Sequence, residues 1–306
     1  MTSPETDPEL PTLIEGQLTL RPWRDSNDSR SVVNFVVEYA GAPAGTAEIR
    51  DRGDRVGELS WAVFSPYQRR GIGTKAVRML VRYGFDELEM ERLEAYVEPD
   101  NLGSIRVASR AGLRHEGLLR RHKTTGAGRP DSVLLARLRE DPEPMSREGL
   151  IPLLNSWLPR KRVIAQVLVR DTAGRVLMCE LTYKRDWDLP GGVVEVGESP
   201  RQGARRELVE ELGSQVPIRV GPLLGIDWLP AWRGWDDACT FVFDGGCHPL
   251  EILVGLVLES RELKRVAFLD LAEIAERCTS ATQQRIAALL TRGATGTQYL
   301  EGGRPA

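Results

Sequence analysis

Three glutamates in the second half of the chain have a spacing that suits divalent-cation chemistry. Glu207, Glu210 and Glu211 lie at positions i, i+3 and i+4, so a helix would place their side chains on one face. Like charges at that spacing repel each other. A hard cation such as Mg²⁺, which prefers carboxylate oxygens together with substrate phosphates, would relieve the repulsion. The alternative is a solvated acidic helix, which most charge runs form.

A glycine-bearing loop leads into this predicted helix. Gly192 is followed after five residues by Glu198, and Glu198 after seven residues by the run Arg206-Glu207-Leu208-Val209-Glu210-Glu211-Leu212-Gly213. On a helix Arg206 can reach Glu210 one turn on, or it can brace Glu198 from the loop. The spacing resembles the Nudix box, and it departs from that pattern only at Ser214, where an aliphatic residue is expected.

The resemblance to Nudix hydrolases implies an activity and a set of site residues. The implied reaction is Mg²⁺- or Mn²⁺-dependent hydrolysis of a nucleoside diphosphate linked to another moiety, so the implied substrate is a nucleotide derivative. The implied metal ligands are Glu207, Glu210, Glu211 and the carbonyl of Gly192. The implied catalytic residues are Glu207 and Glu210, together with Glu198 and Arg206, which would hold the ligands in place.

The resemblance leaves the general base open, because the base varies across the Nudix family. It implies either a glutamate of the box or a carboxylate from a later loop. Glu259 and Glu262 are the two loop candidates. An ordinary exposed loop position is the alternative interpretation of each.

Tryptophans lie on both sides of the box and could stack on a nucleobase through an exposed ring face. They are Trp187, Trp228, Trp232 and Trp235. Core or loop packing explains at least two of them. The polar run 232–237 favours Trp232 or Trp235 over Trp228 as the stacking residue, and Tyr183 and Trp187, which border the entrance to the box, are the next candidates.

A second glycine loop lies in the first half of the chain. The run Gln68-Arg69-Arg70-Gly71-Ile72-Gly73-Thr74 follows a predicted strand, 56–64, and opens a predicted helix, 75–85. Such a loop offers bare backbone N–H groups and a positive helix end to a phosphate, although an ordinary surface turn is the alternative. With Asn101 and Ser104 downstream, followed by Ala-Gly-Leu at 111–113, the order of elements resembles the GNAT acetyltransferases.

The GNAT resemblance implies acetyl-CoA as a co-substrate and acetyl transfer to amines or protein N-termini. The loop 68–74 would hold the pyrophosphate, and Asn101 and Ser104 would lie beside the pantetheine arm. Glu58, on the strand before the loop, is the best-placed candidate base, and an ordinary surface glutamate of a strand is the alternative interpretation. Relatives place two helices on the acceptor side, whereas only eleven residues separate Trp23 from Phe35. This truncation supports an alternative in which the first half is a non-catalytic acyl-CoA-binding module.

The pattern of elements predicts an α/β protein of two domains. We expect a GNAT-like mixed sheet with helices over 1–145, a linker over 146–162, and a Nudix α/β/α sandwich over 163–292. Within the second domain the apolar run 251–258 is predicted to be a strand. The tail from Gly293 is short and polar, and we expect it to be loosely held.

Composition excludes several function classes. The 306 residues carry a net charge of −3, and neither half is basic, which argues against duplex nucleic acid as a partner. The four cysteines form no C-x-x-C pair, and the three histidines show no ligand spacing. The acidic start contains no apolar secretion signal, and no apolar run reaches membrane-spanning length. We therefore expect a cytoplasmic protein without a membrane partner.

Overall fold

A computed structural model describes residues 10–23, 32–124, 126, 128–232, 234–291 and 296–306. The chain divides into two compact units, residues 1–159 and 160–306, and each has its own sheet with flanking helices. The predicted α/β fold with two domains is therefore confirmed. Among the described residues no helix is both long and apolar enough to cross a membrane.

The first unit is built on a sheet in the order β1-β2-β3-β4-β5-β6-β8-β7. Its strands are β1 (Leu13–Glu15), β2 (Leu18–Trp23), β3 (Val32–Tyr39), β4 (Ala42–Asp51), β5 (Val56–Val63), β6 (Arg92–Val97), β7 (Arg114–Leu119) and β8 (Ser132–Leu138). Its helices are α1 (Ile72–Asp86), α2 (Leu102–Arg110) and α3 (Arg147–Asn155). The core lies between the sheet and α1, where Leu80 packs with Phe35 and Leu93.

Strands β5 and β6 run parallel and pair over a short length only. Their register ends at Glu58, which is opposite Glu94, although β5 continues to Val63 and β6 to Val97. The chain crosses from β5 to β6 through α1, so the part of β5 that is paired with β4 alone leads toward the glycine loop. The segment between β2 and β3, where GNAT relatives place two helices, falls mostly on 24–31, and these residues lie outside the described ones.

Helix α3 occupies much of the predicted linker and packs on the first unit. The Ser146 side chain caps the helix by accepting a hydrogen bond from the N–H of Gly149 at 3.0 Å. At the other end the N–H of His115 in β7 donates to Ser156 Oγ at 3.1 Å, and the His115 and Trp157 rings lie 4.7 Å apart. The boundary between the two units accordingly falls after Pro159.

The second unit has a sheet in the order β14-β10-β9-β13-β12-β15-β16, with β11 also paired to β9. Its strands are β9 (Arg162–Asp171), β10 (Val176–Leu181), β11 (Gly191–Val193), β12 (Leu223–Leu229), β13 (Ala238–His248), β14 (Leu263–Leu269), β15 (Gln298–Glu301) and β16 (Arg304–Pro305). Its helices are α4 (Pro200–Leu212), α5 (Leu271–Arg277) and α6 (Ser280–Thr291).

The second sheet is covered on both faces, because its buried side chains form two separate cores. Leu208 of α4 belongs to one core together with Val167 of β9. Ile274 of α5 and Ile286 of α6 belong to the other core, together with Leu168 of β9. Alternate side chains of a strand point to opposite faces, so helix α4 lies on one face and helices α5 and α6 on the other.

The predicted strand over 251–258 is wrong. Residues Leu250–Gly255 form a 3₁₀ helix, and only Ile252 in it is buried. The following backbone turns toward the end of α4, where the N–H of Val257 donates to the carbonyl of Leu212 and that of Glu259 donates to the carbonyl of Glu211. These donors satisfy carbonyls that a helix C-terminus leaves without an intrahelical partner, so they are not available for a ladder.

The expectation of a loosely held tail is also wrong for its described part. Strand β15 pairs in parallel with β12, and β16 folds back on β15. Leu300 is buried at 1% exposure in the core beneath α5 and α6. Burial of this one apolar side chain and the backbone pairing with β12 hold the hairpin on the sheet.

Candidate functional site

Local sequence explains why α4 begins where it does. Ser199 and Gln202 form a reciprocal capping box, in which the Ser199 side chain accepts from the Gln202 N–H and the Gln202 side chain accepts from the Ser199 N–H. Pro200 occupies the first turn, where its missing N–H costs nothing. The helix therefore presents Glu207, Glu210 and Glu211 from a fixed start.

Arg206 connects the box loop to the glutamates of α4. Its Nε donates to Glu198 Oε1 at 2.8 Å, and its Nη1 donates to Glu207 Oε1 at 3.0 Å and to Glu210 Oε2 at 2.8 Å. Its Nη2 also donates to the carbonyl of Val193 at 3.0 Å. Through its guanidinium group, Arg206 thus contacts three other predicted site residues, Glu198, Glu207 and Glu210. The guanidinium lowers the pKa of Glu198, and these carboxylates raise the pKa of Arg206.

Glu207 and Glu211 are buried carboxylates, whereas Glu210 is exposed. The exposed fractions of Glu207 and Glu211 are 9% and 3%. Burial raises the pKa of Glu207, and burial raises the pKa of Glu211 to about 8, with the negative charge of Glu207 adding to the effect. Metal-free Glu211 is therefore mostly protonated at neutral pH, and a cation beside it would favour the charged form.

Strand β11 lies directly against these carboxylates. The N–H of Gly191 donates to Glu211 Oε2 at 2.7 Å. A Cβ placed on Gly192 would lie 2.5 Å from Glu207 Oε1, so the backbone there is packed against the carboxylate. Only glycine leaves this space, which brings the main chain of the box loop to the glutamates.

The donor set here fits a hard divalent cation. All the predicted ligands offer oxygen, which Mg²⁺ and Mn²⁺ prefer. Arg206 contacts one oxygen each of Glu207 and Glu210, and a carboxylate retains further lone pairs. Within the described ranges no group of three or more His, Cys, Asp or Glu side chains is arranged tightly enough to hold a metal as it stands. The ligand assignment therefore remains a prediction.

The two loop carboxylates differ in their surroundings. Glu259 is engaged by its neighbour, because Arg261 Nε donates to Glu259 Oε1 at 2.9 Å. The charge of Glu262 instead contributes to the raised pKa values of Glu207 and Glu211. The carbonyl of Glu262 accepts from the N–H of Thr182 at 2.8 Å, which fixes the loop to the end of β10.

The aromatic candidates separate by exposure. Trp187 is 5% exposed and lies in a core, with the guanidinium of Arg265 4.9 Å from its ring centroid. It cannot present a ring face to a base, so its candidacy is wrong. Trp232, Trp235 and Tyr183 have exposed fractions of 52%, 59% and 69%. Their stacking role stays a prediction.

A buried ion pair in the second unit was not predicted from the sequence. Arg285 Nε of α6 donates to Asp227 Oδ2 of β12 at 2.7 Å, with side-chain exposures of 3% and 0%. Asp227 Oδ1 accepts from the N–H of Gly303 in the C-terminal hairpin at 3.0 Å. Arg285 Nη1 donates to Gln166 Oε1 at 2.8 Å. The charges are therefore paired and hydrogen-bonded on both sides.

The same polar network continues toward the box. Gln166 Nε2 donates to Asp188 Oδ1 at 3.0 Å, and Lys184 Nζ donates to Asp188 Oδ2 at 2.8 Å. Asp188 pairs through its backbone with Cys179 and precedes the turn into Gly191. Interactions with Lys184 and Arg285 oppose the effect of burial and lower the pKa of Asp188. The loop entering the box is thus anchored to α6.

The glycine loop of the first unit opens on a cavity of about 750 Å³. The predicted residues on its wall are Gln68, Arg69, Gly71, Ile72, Gly73, Thr74, Asn101 and Ser104. Arg70 points elsewhere, since its guanidinium lies 4.8 Å from the ring centroid of Tyr39 and it lines a smaller cavity of about 220 Å³. Asn101 also has a structural role, because its side chain accepts from the N–H of Ser104 at 3.1 Å and caps α2.

Both halves of the chain match known families. Residues 1–114 match the family model described as an acetyltransferase (GNAT) domain, and residues 160–290 match the model described as a NUDIX domain. The two resemblances predicted from the sequence are therefore confirmed.

Curated relatives of each half are also found. "Probable N-acetyltransferase YjcK" of Bacillus subtilis (strain 168) is 45% identical over 74 residues, which are 24% of this chain and 41% of that protein. "Uncharacterized N-acetyltransferase p20" of Bacillus licheniformis is 32% identical over 153 residues, 44% of this chain and 84% of that protein. "MutT-like protein" of Streptomyces ambofaciens is 42% identical over 114 residues, 37% of this chain and 66% of that protein. The chain thus spans less than half of the first relative's length.

Proposed function

Because this chain belongs to the GNAT family through its first half and to the NUDIX family through its second, we propose that it is a metal-dependent diphosphate hydrolase joined to an acetyl-CoA-binding domain. The hydrolase substrate is a nucleoside diphosphate linked to another moiety. The products are a nucleoside monophosphate and a phosphorylated remainder.

The observation that carries the hydrolase proposal is the pair of buried carboxylates against β11. Glu207 and Glu211 are held in an environment that penalises their negative charge, and such an arrangement is costly unless a positive partner binds. Glu210, from the same helix, and the carbonyl of Gly192 would complete the oxygen ligands. When bound, Mg²⁺ neutralises substrate phosphates and acidifies the attacking water.

Arg206 and Glu198 hold the ligands in position. The guanidinium group links Glu198 of the loop to Glu207 and Glu210 of the helix, so the loop and the helix cannot separate without breaking charged hydrogen bonds. Glu262 is the loop carboxylate that we favour as the general base, because its charge acts on Glu207 and Glu211, whereas Glu259 is paired with Arg261.

A substrate screen tests the hydrolase proposal. The full-length protein is incubated with nucleotide sugars, ADP-ribose, dinucleoside polyphosphates, NADH, CoA and oxidised dNTPs, with Mg²⁺, with Mn²⁺ and with EDTA. We expect release of a nucleoside monophosphate from at least one compound in the presence of metal and none in EDTA. Absence of turnover across the panel, or turnover that EDTA leaves unchanged, would refute the proposal.

Gly192→Ala should weaken both metal binding and hydrolysis by at least about tenfold. The added Cβ would lie 2.5 Å from Glu207 Oε1 and displace that carboxylate. Titration with Mn²⁺ and steady-state kinetics measure the two effects. Gly255→Ala is the matched control, because a Cβ at Gly255 meets nothing within 4 Å. Equal Mn²⁺ affinity in the two variants would show that Glu207 is not a ligand.

The cavity of the first unit favours acetyl-CoA binding as the second function. Its wall includes Gly71 and Gly73 at the start of α1, where backbone N–H groups and the helix dipole favour a pyrophosphate. The end of β5 that pairs with β4 but not with β6, with Trp61 and Val63, lines the adjoining wall. Turnover on amines is the alternative to binding alone, and assays on an amine and peptide panel separate the two. We expect weak or undetectable transfer.

Gly71→Glu should abolish acetyl-CoA binding, because it places bulk and negative charge where the phosphates would lie. Gly71 has φ +78° and open space around its Cβ position. Gly53→Glu is the matched control, since Gly53 has φ +84° and equally open surroundings but lies in the β4–β5 turn. Isothermal titration measures both. Binding that survives Gly71→Glu, or that Gly53→Glu also removes, would contradict the assignment.

A further inference from the structure

A cluster of ionisable side chains lies on the first sheet where β5 and β6 separate. Glu58 and Glu94 are opposite each other at the end of the β5–β6 register, with side-chain exposures of 13% and 14%. Neighbouring residues Leu59 and Leu93 are buried in the core with α1. Side chains alternate along a strand, so the two carboxylates lie on the face opposite this core.

The ammonium group of Lys123 occupies this cluster. It contacts the Glu58 carboxylate and lies 4.7 Å from the ring centroid of Tyr96. The Tyr96 hydroxyl donates to Glu94, and burial, with the charge and hydrogen bond of Glu94, raises the pKa of Tyr96 to about 12. Tyr96 is therefore protonated at neutral pH. A carboxylate and a ring face together form a binding site for a primary amine, and the chain's own lysine fills it.

His122 forms the far side of the cluster. Its ring lies 4.5 Å from the Tyr96 ring at 33°, and its backbone N–H donates to the carbonyl of Pro130 at 3.1 Å. The two contacts fix the backbone and ring that precede Lys123. The position of Lys123 beside Glu58 is therefore set by the loop that carries it as well as by the ion pair.

The large cavity lies beyond the point where β5 and β6 separate, and neither Glu58 nor Lys123 is among the residues that line it. Its phosphate-binding end is at Gly71 and Gly73, and its wall continues back along β5 through Val63, Ala62 and Trp61. Glu58 is the next acidic residue in that direction along the strand. A CoA thioester anchored by its phosphates at Gly71 would therefore extend its acyl end toward the gap that opens at Glu58.

We propose that Lys123 is an acetylation site at which the first unit acts on itself, with acetyl-CoA as the donor. The proposal rests on the proposed CoA binding. Glu58 takes a proton from the Lys123 ammonium, and the Nζ lone pair attacks the thioester carbonyl carbon. An N–C bond forms, the C–S bond breaks, and CoA leaves as the thiol after taking up a proton. The net products are acetyl-lysine, free CoA and one proton.

An acceptor that belongs to the chain does not need the two helices that GNAT relatives place on the acceptor side. Those helices would position a free amine, and positioning supplies much of the rate in such a transfer. Lys123 is positioned by its own loop and by Glu58, so its effective concentration at the site does not depend on them. Free amines must instead displace Lys123 from Glu58, which accords with the weak transfer to them that we expect.

Mass spectrometry of the full-length protein incubated with acetyl-CoA tests the proposal. Lys161 is an internal control in the same molecule, because it is 47% exposed and paired with Asp237, whereas Lys123 is 45% exposed and paired with Glu58. Chemical acetylation would modify the two lysines at similar rates. We expect Lys123 to be modified at least about tenfold faster, with a rate constant that does not change with protein concentration.

Two variants and a binding measurement separate the possible outcomes. Glu58→Gln should slow Lys123 acetylation at least about tenfold while retaining acetyl-CoA binding by titration, and Gly71→Glu should reduce the rate at Lys123 to that at Lys161. If acetyl-CoA binds but Lys123 and Lys161 react equally, the self-acetylation is refuted and the CoA site stands. If acetyl-CoA does not bind, the proposed CoA site itself fails, and the self-acetylation with it.

Discussion

Glu211→Gln should lower metal-dependent hydrolysis by at least about a hundredfold and leave the second unit folded. Glu211 is 3% exposed, and its Oε2 accepts the N–H of Gly191 at 2.7 Å. Glutamine keeps an acceptor for that bond and has the shape of the protonated carboxyl group that burial favours. It cannot supply the negative charge that a cation needs.

Hydrolysis at saturating Mg²⁺ and a melting curve measure the two effects. Glu276→Gln is the control, because Glu276 is an exposed residue of α5 and its replacement should change neither. Near wild-type turnover by Glu211→Gln would eliminate this residue as a metal ligand.

The raised pKa of Glu211 should also make the stability of the metal-free wild type depend on pH, and Glu211→Gln should reduce this dependence. Its pKa rises from an ordinary 4.5 to about 8 in the folded protein, so the folded state binds a proton that the unfolded state releases. In EDTA the stability of the wild type should therefore fall as the pH rises from about 4.5 to about 8. Glu211→Gln should show a smaller fall over that range, and Mg²⁺ should restore the wild type at the upper end.

Arg285→Met should destabilise the second unit by about 3–5 kcal/mol, which corresponds to a fall in melting temperature on the order of 10 °C. The change removes the guanidinium partner of the Asp227 side chain, which is 0% exposed and would keep the hydrogen bond from the N–H of Gly303 to Oδ1. It also removes the donor to Gln166. Calorimetry of the full chain measures the transition of this unit.

A surface ion pair provides the comparison for Arg285. Arg261 is 87% exposed and pairs with Glu259, so Arg261→Met should cost less than about 1 kcal/mol. The double variant Asp227→Asn with Arg285→Met should be less destabilised than the sum of the single variants, because no buried charge is left alone. Equal effects of Arg285→Met and Arg261→Met would show that the buried pair does not stabilise the unit.

Features that depend on local spacing were predictable from the sequence. Glu207, Glu210 and Glu211 share a face because helical periodicity alone determines it, and Arg206 reaches both Glu198 and Glu210 as the box spacing indicates. The glycine loop could be placed after a strand and before a helix for the same reason. The burial of Glu207 and Glu211 could not be predicted from the sequence, because it depends on β11 and on the loop that follows the 3₁₀ helix.

Features that join distant segments were not predictable. Asp227, Arg285 and Gly303 are single polar or small residues on three elements, and no pattern in any one of them indicates the other two. The apolar run 251–258 has strand composition, but its backbone donors go to the carbonyls at the end of α4. Arg70 and Arg69 are adjacent in one loop, yet a contact with Tyr39 turns Arg70 away from the large cavity.

The C-terminal hairpin has a consequence for the order in which the second unit folds. Strand β15 pairs with β12, whose residues lie far earlier in the chain, and closing such a long loop is slow compared with forming hairpins. Until β15 docks, Asp227 lacks the Gly303 donor, so this carboxylate is fully compensated only in a late step. We therefore expect substitutions at Asp227 or Arg285 to accelerate unfolding far more than they slow folding.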